Sequence, residues 1–175
     1  MRTYKIVVTG PFNAGKTTFV RTLCGDILSS EAASLDPRKT TTTVALDFGI
    51  VKLDNETTIK LFGTPGQERF FFMVRNLSIG MDGYVFIIDL SDVDSLPKAK
   101  LMYDMLRSRF PDVVHVVAAN KYDKVNSRDI RYLKDSLNVP REYPLLPLVA
   151  YDHELAMNVL KKLISLVKDS RYGLD

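Results

Sequence analysis

The sequence is poor in the residues from which metal centres and catalytic triads are usually built. Its 175 residues include one cysteine, Cys24, and two histidines, His115 and His153. A single cysteine excludes an intramolecular disulfide and suits a reducing compartment. Two histidines and one cysteine leave almost no material for a zinc site or a triad. His115 lies among valines, so we expect it in the core, and we expect no catalytic role for His153.

Long apolar runs and strong charge are also missing. No apolar run is long enough to span a bilayer, and the first residues lack the apolar region of a signal peptide. Residue 2 is not glycine and the last residues carry no prenylation signal, so no stable membrane anchor is expected. The net charge is +3, without a basic cluster interleaved with aromatics, so no nucleic-acid partner is predicted. These features predict one cytoplasmic domain over residues 1–175.

Apolar runs of strand length alternate with helical patterns along the chain. This alternation predicts an α/β fold: a doubly wound, mostly parallel six-stranded sheet with helices on both faces and one antiparallel hairpin edge. The polar stretch 25–43 is predicted to be a long loop that is functional or partly mobile. The predicted strands cover 5–8, 44–53, 57–62, 83–89, 113–119 and 144–149, and the predicted helices cover 18–23, a short segment within 63–81, 97–110, 127–137 and 152–170.

The stretch from Gly10 to Thr17 fits the phosphate-loop pattern G-x-x-x-x-G-K-[ST], with a strand pattern before it and a helix pattern after it. In such a loop, successive backbone N–H groups and a helix N-terminus surround a polyphosphate. Lys16 is predicted to reach the outer phosphates and the Thr17 hydroxyl to ligate Mg²⁺. The predicted nucleotide contacts of this loop are Asn13, Ala14, Gly15, Lys16, Thr17 and Thr18.

A second motif, Asn120-Lys121-Tyr122-Asp123, follows the strand predicted at 113–119. A carboxylate at Asp123 can accept hydrogen bonds from both N1 and N2 of guanine, whereas adenine offers no such pair of donors. Asn120 can contact N7 of the base, and the aliphatic part of Lys121 can cover the base face. The two motifs together predict guanine-nucleotide binding.

With these motifs the chain resembles the Ras-like small GTPases over essentially its whole length. In that family a threonine before the second strand ligates Mg²⁺, and the spacing T-x-x-x-D-F selects Thr43 among the four threonines 40–43. The family's third motif, D-x-x-G-Q-E, aligns with residues 63–68. The resemblance implies that the Gly66 N–H contacts the γ-phosphate and that Gln67 orients the attacking water. The fifth motif matches loosely at Ala150 and Tyr151, where the Ala150 N–H would reach the guanine oxygen.

The chain departs from the Ras pattern at the start of the third motif. Gly63 stands where the family has an acidic residue that supports Mg²⁺, so either the metal binds more weakly or Asp36, Asp47 or Asp89 substitutes for it. The sequence F-G-T-P-G-Q-E resembles the third motif of the MglA-like prokaryotic branch of this family. That resemblance implies roadblock/longin-type regulators and an effector as partners.

A second departure lies in the phosphate loop. Phe12 stands where Ras proteins have glycine, and a large ring there argues against insertion of an activator's arginine. Catalytic help could instead come from Arg38 or Arg69 of the chain itself, although exposed arginines are usually only solvated, or from a partner that repositions Gln67. Three aromatics at 70–72 follow the third motif, and one or two of them are expected to form a partner-binding patch.

The predicted function is a guanine-nucleotide switch that binds Mg-GTP, hydrolyses it slowly to GDP, and changes loops 36–45 and 63–77 when the γ-phosphate is lost. Lys16 and Gln67 are the predicted catalytic residues. Two alternatives stay open at this point. One is a GTP-binding interaction module with negligible hydrolysis. The other is a P-loop phosphotransferase, which would need an arginine-rich lid that the sequence does not contain.

Overall fold

A twisted sheet with helices on both faces forms the body of the protein. The computed structural model describes residues 1–25, 28–29, 47–65, 71–126 and 130–172. Within these ranges the sheet has seven strands in the order β2-β3-β4-β1-β5-β6-β7. The strands are β1 (Arg2–Thr9), β2 (Leu28–Ser29), β3 (Asp47–Lys52), β4 (Thr57–Gly63), β5 (Gly83–Asp89), β6 (His115–Asn120) and β7 (Leu145–Pro147).

Strand β1 lies near the centre of the sheet, parallel to β4 on one side and to β5 on the other. Strands β5, β6 and β7 continue the parallel arrangement. Strand β3 runs antiparallel to β4, which confirms the predicted hairpin edge. The doubly wound, mostly parallel sheet that the sequence predicted is therefore the observed fold.

The helices cover the two faces of this sheet. They are α1 (Lys16–Cys24), α2 (Phe71–Leu77), α3 (Leu96–Arg109), α4 (Arg131–Leu137) and α5 (His153–Tyr172). Among the described residues, no helix is long and apolar enough to cross a membrane. Because side chains alternate along a strand, β1 sends Ile6 and Val8 into one core cluster and Val7 into the other.

The first core cluster lies under α1 and α5, and the second lies under α3 and α4. The face of α5 predicted from helical spacing is fully buried in the first cluster; its members Ala156, Leu160, Leu163 and Val167 are each 0% exposed. His115 is buried in strand β6, as predicted. Its ring is stacked on Tyr84, with 4.5 Å between ring centroids.

Two elements differ from the prediction. The stretch expected to be loop contains the two-residue strand β2, which pairs antiparallel with β3 and extends the hairpin edge. Helix α4 begins at Arg131, whereas a helix was expected from Ser127; residues 127–129 lie outside the described residues. Ile130, the residue before α4, has non-helical backbone angles and is half-buried against the second core cluster.

Candidate functional site

The loop between β1 and α1 has the backbone geometry of an anion-binding turn. Three of its residues have positive φ angles: Gly10 at 145°, Asn13 at 61° and Gly15 at 101°. A side chain at Gly10 would overlap the carbonyl oxygen of Ile87 on β5. The loop therefore passes against the neighbouring strand at a distance that only glycine allows, and it enters the N-terminus of α1 directly.

Lys16 is the first residue of α1 and is only 7% exposed. Its ammonium nitrogen Nζ donates a hydrogen bond to the Pro11 carbonyl oxygen at 2.5 Å. Burial lowers the pKa of Lys16 to about 8, although the negative charge of Asp47 acts in the opposite direction. The loop thus holds a buried cation at the end of the sheet where ligands of such folds bind.

Thr17, the predicted metal ligand, donates from its hydroxyl oxygen Oγ1 to the Asp47 carboxylate oxygen Oδ2 at 2.5 Å. Asp47 is the first residue of β3 and is 4% exposed. Three acids were considered as substitutes for the carboxylate missing at Gly63. Of these, Asp47 is the one that contacts Thr17. Asp89 instead accepts hydrogen bonds from Lys121 and Ser91, and Asp36 lies outside the described residues.

The predicted base-recognition residues follow β6, beside the phosphate loop. The Asn120 side chain is 3% exposed and donates from Nδ2 to the Ala14 carbonyl oxygen at 2.8 Å. Its Oδ1 accepts from the Ala150 N–H at 2.9 Å. Asn120 thus joins the phosphate loop to the fifth-motif segment. Since a side-chain amide has two N–H groups, one is left for the predicted contact with N7 of a purine.

The Ala150 N–H is already bonded to Asn120, so the predicted contact with the guanine oxygen would have to be shared with that side chain. The neighbouring residue, Tyr151, is 65% exposed and donates from its hydroxyl to the Asp123 carboxylate at 2.5 Å. The structure therefore brings the loosely matched fifth motif into direct contact with the residue predicted to read guanine. The ligand contacts of Ala150, Tyr151 and Asp123 themselves stay predictions.

Lys121 has a left-handed backbone, with φ at 59°, and forms an ion pair with Asp89 at the end of β5. Burial alone would raise the pKa of Asp89, but hydrogen bonds from Lys121 and Ser91 outweigh it and hold that pKa below its ordinary value. Sequence reasoning did not predict this pair. The usable signal was that β5 and β6 both end in polar residues, and the parallel register places Asp89 beside Asn120.

The start of the third motif is attached to the end of β1. The Thr64 N–H donates to the Val8 carbonyl oxygen at 2.9 Å, and its hydroxyl donates to Thr9 Oγ1 at 3.0 Å. The next residues of that motif, Gly66 and Gln67, lie outside the described residues, as do Thr43, Arg38 and Arg69. Their predicted roles are therefore untested.

Two exposed aromatic side chains lie near predicted regulatory contacts, one on the phosphate loop and one in the predicted loop 63–77. Phe12 is 66% exposed on the phosphate loop, and Phe72 is 61% exposed on α2. Phe72 lines an open groove of about 690 Å³ between α2 and α3. The exposure of Phe72 agrees with the expectation that part of the 70–72 segment faces outward.

The oxygen groups at Thr17 fit a magnesium ion better than a transition metal. Among the described residues, no group of three or more His, Cys, Asp or Glu side chains could enclose a metal. Mg²⁺ does not need such a cage, because it is usually held by one or two protein oxygens, several waters and the phosphates of a nucleotide. A hydroxyl beside one buried carboxylate at a phosphate loop satisfies that requirement.

The sheet order, the phosphate loop and the Asn120–Ala14 link define a P-loop nucleotide-binding protein with the fold of a small GTPase. The small GTPase Arl6 (BBS3) of Trypanosoma brucei, solved with the nucleotide analogue GppNp, superposes with a TM-score of 0.74. The match covers 97% of this chain and 99% of that chain at 17% sequence identity.

The curated relatives include Ras-related proteins and an ADP-ribosylation factor-like protein. The chain is 30% identical over 131 residues to Ras-related protein Rab-44 of Mus musculus and 29% identical over 133 residues to EF-hand calcium-binding domain-containing protein 4B of Homo sapiens. These matches cover 73% and 74% of this chain, but it spans only 13% and 17% of those proteins. ADP-ribosylation factor-like protein 3 of Saccharomyces cerevisiae is 27% identical over 142 residues, which cover 80% of this chain and 70% of that protein.

A family model described as conserved hypothetical ATP binding protein matches residues 26–170. The chain therefore belongs to this family. Its relatives and its fold also place it in the Ras-like small GTPase superfamily. The matched residues include Asp47, Gly63 and the segment from Asn120 to Asp123, and they begin after the phosphate loop.

Proposed function

We propose that the protein is a guanine-nucleotide switch that binds Mg-GTP and slowly hydrolyses it to GDP and phosphate. The observation that carries the proposal is the Asn120–Ala14 hydrogen bond of 2.8 Å, which joins the base-recognition segment to the phosphate loop. A single nucleotide can then contact both segments at once. The Asn120 side chain is held by two hydrogen bonds, so its position is set before the base arrives.

Guanine rather than adenine is proposed because of the Asp123 carboxylate. It can accept two N–H donors from guanine, whereas adenine would leave it without that pair. The family description names ATP, so the choice of base needs a direct test. We expect stoichiometric binding of a fluorescent GDP and at least about hundredfold weaker binding of the matching ADP. Tighter binding of ADP would overturn the guanine assignment.

An Asp123→Asn variant sharpens this test. Its side-chain amide would place an N–H opposite the guanine amino group, which is also a donor, whereas xanthine has a carbonyl there. Affinity should fall for GDP and rise for xanthosine diphosphate. Asp135→Asn, an exposed carboxylate on α4, is the matched control and should leave both affinities unchanged. If Asp123→Asn bound both GDP and xanthosine diphosphate more weakly by the same factor, the loop would be disturbed and the base preference unchanged.

For hydrolysis, water would attack the γ-phosphorus in line. A P–O bond to water forms as the bond to the β-phosphate oxygen breaks, and GDP leaves with that electron pair; one water proton stays on the released phosphate and the other passes to solvent. Lys16 would stabilise negative charge on the phosphates, with Thr17 and Thr43 as ligands of Mg²⁺, while Gly66 contacts the γ-phosphate and Gln67 orients the water. We expect single-turnover rates of about 10⁻⁴ to 10⁻² s⁻¹. A Gln67→Leu variant should lower the rate while GTP stays bound; an unchanged rate would remove Gln67 from the mechanism.

Regulators and an effector are proposed to contact loops 36–45 and 63–77 when the nucleotide changes. The F-G-T-P-G-Q-E motif supports an MglA-like protein with roadblock/longin-type regulators. The exposed Phe12 ring supports activation without an arginine inserted at that position. We expect such a regulator to accelerate phosphate release from the GTP-bound protein. The cytoplasmic location expected from the single cysteine stays a prediction.

A further inference from the structure

The third motif of this chain lacks its usual carboxylate, and a carboxylate from another strand lies in the same place. Asp47 on β3 and Gly63 on β4 are directly opposite each other in the antiparallel register. A Cβ added at Gly63 would lie 3.0 Å from Asp47 Cβ and 3.3 Å from its oxygen Oδ2. The Asp47 side chain therefore occupies the space into which a side chain at position 63 would project.

The same carboxylate is bonded to the predicted metal ligand. Asp47 Oδ2 accepts the Thr17 hydroxyl proton at 2.5 Å, although the two residues are 30 positions apart in the chain. A hydroxyl that ligates a cation through its oxygen lone pair must donate its proton elsewhere, and a carboxylate is the strongest acceptor available. Asp47 supplies that acceptor and orients the Thr17 lone pairs toward the phosphate loop.

The carboxylate of this pair is buried, whereas Thr17 is exposed on the loop side. Asp47 is 4% exposed, and Lys16, whose charge it attracts, is 7% exposed. A buried carboxylate is costly unless it is paired or lies near a cation. The other described candidate, Asp89, is bonded to Lys121 and Ser91 on the base-recognition side of the site.

We propose that Asp47 is the positioning carboxylate of the magnesium site, in place of the acidic residue missing at Gly63. It acts through Thr17 and through water bound to the metal, as the outer-sphere partners of metal ligands do. The carboxylate that supports the metal thus lies on β3 and not on β4, and Gly63 leaves room for the Asp47 side chain. The inference rests on the proposed function only in that a magnesium nucleotide occupies the phosphate loop.

The test is the release rate of a bound fluorescent GDP from the purified full chain, measured in excess Mg²⁺ and again in excess EDTA. In the wild type, Mg²⁺ should slow release. Asp47→Asn keeps the shape of the side chain but removes its charge. In this variant the ratio of the release rate in EDTA to that in Mg²⁺ should fall about tenfold or more, while the rate in EDTA stays within about threefold of the wild type. Asp89→Asn is the matched control, and its ratio of the two rates should equal that of the wild type.

A strand-swapped variant provides the stricter test. Asp47→Gly with Gly63→Asp returns the carboxylate to β4 and removes the crowding that Gly63→Asp alone would cause. We expect this double variant to recover the wild-type ratio within about threefold, which a merely structural role for Asp47 would not produce. Thermal unfolding of each variant confirms that it is folded.

Three outcomes have different meanings. The inference would be overturned if folded Asp47→Asn had the wild-type ratio of release rates in EDTA and Mg²⁺. It would also be overturned if the variant released GDP faster by the same factor in both conditions, since that leaves the ratio unchanged. A wild type that binds no guanine nucleotide would overturn the proposed function instead. If it then binds the fluorescent ADP, the same pair of measurements still tests Asp47, because that residue lies at the phosphate end of the site.

Discussion

Asn120 Nδ2 lies 2.8 Å from the carbonyl oxygen of Ala14, so the end of β6 is bonded to the phosphate loop 106 residues earlier in the chain. The same side chain accepts the Ala150 N–H. It also explains the glycine at position 15, because a side chain there would overlap Asn120 Nδ2. One buried amide therefore holds together three segments that are distant in sequence.

The first prediction concerns Asn120→Ala. This change leaves the Ala14 carbonyl and the Ala150 N–H without these partners in a buried setting, so we expect the free energy of unfolding to fall by about 2–4 kcal/mol. Urea denaturation measures this loss. Asn158→Ala, an exposed asparagine on α5, is the control and should change stability by less than about 0.5 kcal/mol. Similar losses in both variants would contradict a linking role for Asn120.

The parts of the site that could be predicted from sequence are those with local chemical requirements. The glycines, Lys16 and Thr17 form one contiguous phosphate loop, and Asp123 follows a recognisable apolar strand. The proposed assignment of Asp47 among three acids could not be made in this way, because it depends on the β3–β4 register and on the space left by Gly63.

The fold was predictable for a similar reason, since apolar periodicity reports directly on buried strands and helix faces. Periodicity did not predict strand β2 or the start of helix α4, and both stretches make tertiary contacts. Strand β2 is only two residues long and pairs with β3, and Ile130, the residue before α4, packs against the second core cluster. Neither contact leaves a pattern in the local sequence.

The second prediction concerns acid stability through His115. The buried ring accepts the Tyr103 hydroxyl at Nε2, 2.7 Å away, and its Nδ1 lies 3.3 Å from the Val113 carbonyl. Burial lowers the pKa of His115 from 6.5 to about 4, and the charge of Arg107 acts in the same direction. The unfolded chain therefore binds this proton more readily, and stability is lost as pH falls from about 6.5 to about 4.

The expected contribution of His115 to this loss is roughly 3 kcal/mol in the free energy of unfolding. Urea denaturation at a series of pH values measures it in the wild type and in His115→Gln, whose amide oxygen can still accept from Tyr103. The carboxylates and the exposed His153 are common to both proteins, so the difference between the two curves isolates His115. Parallel curves over this pH range would show that His115 does not cause the loss.

The third prediction separates backbone strain from close packing at two glycines with positive φ. Gly10 has φ at 145° and lies against the Ile87 carbonyl, whereas Gly80 has φ at 68° and has no atom within 4 Å of an added Cβ. Gly80→Ala should cost about 1 kcal/mol, from backbone strain alone. Gly10→Ala should lower the free energy of unfolding by at least about 2 kcal/mol more than Gly80→Ala, because β1 and β5 must move apart to make room for the methyl group. Chemical denaturation measures both changes. An equal fall in the free energy of unfolding for the two variants would show that close packing against Ile87 adds no cost at Gly10.

The fourth prediction tests the ion pair between Asp89 and Lys121. The Asp89 side chain is 6% exposed and that of Lys121 is 22% exposed, so the pair is largely shielded from solvent. Asp89→Asn removes the charge that anchors the ammonium group, and with it the order of the aliphatic part of Lys121 that is proposed to cover the base. We expect release of bound GDP to accelerate about three- to tenfold, the effect of one weakened charge-assisted hydrogen bond.

This acceleration should be the same in Mg²⁺ and in EDTA, because Asp89 is bonded on the base-recognition side of the site and not at Thr17. Ser91→Ala is the matched control: it removes the hydroxyl that also donates to Asp89 but keeps the ion pair, so its release rate should stay within about twofold of the wild type. An Asp89→Asn effect confined to Mg²⁺ would place Asp89 in the metal site. The predicted base-binding and metal-binding residues would then be coupled through β5, although they bond to separate carboxylates: Lys121 to Asp89 and Thr17 to Asp47.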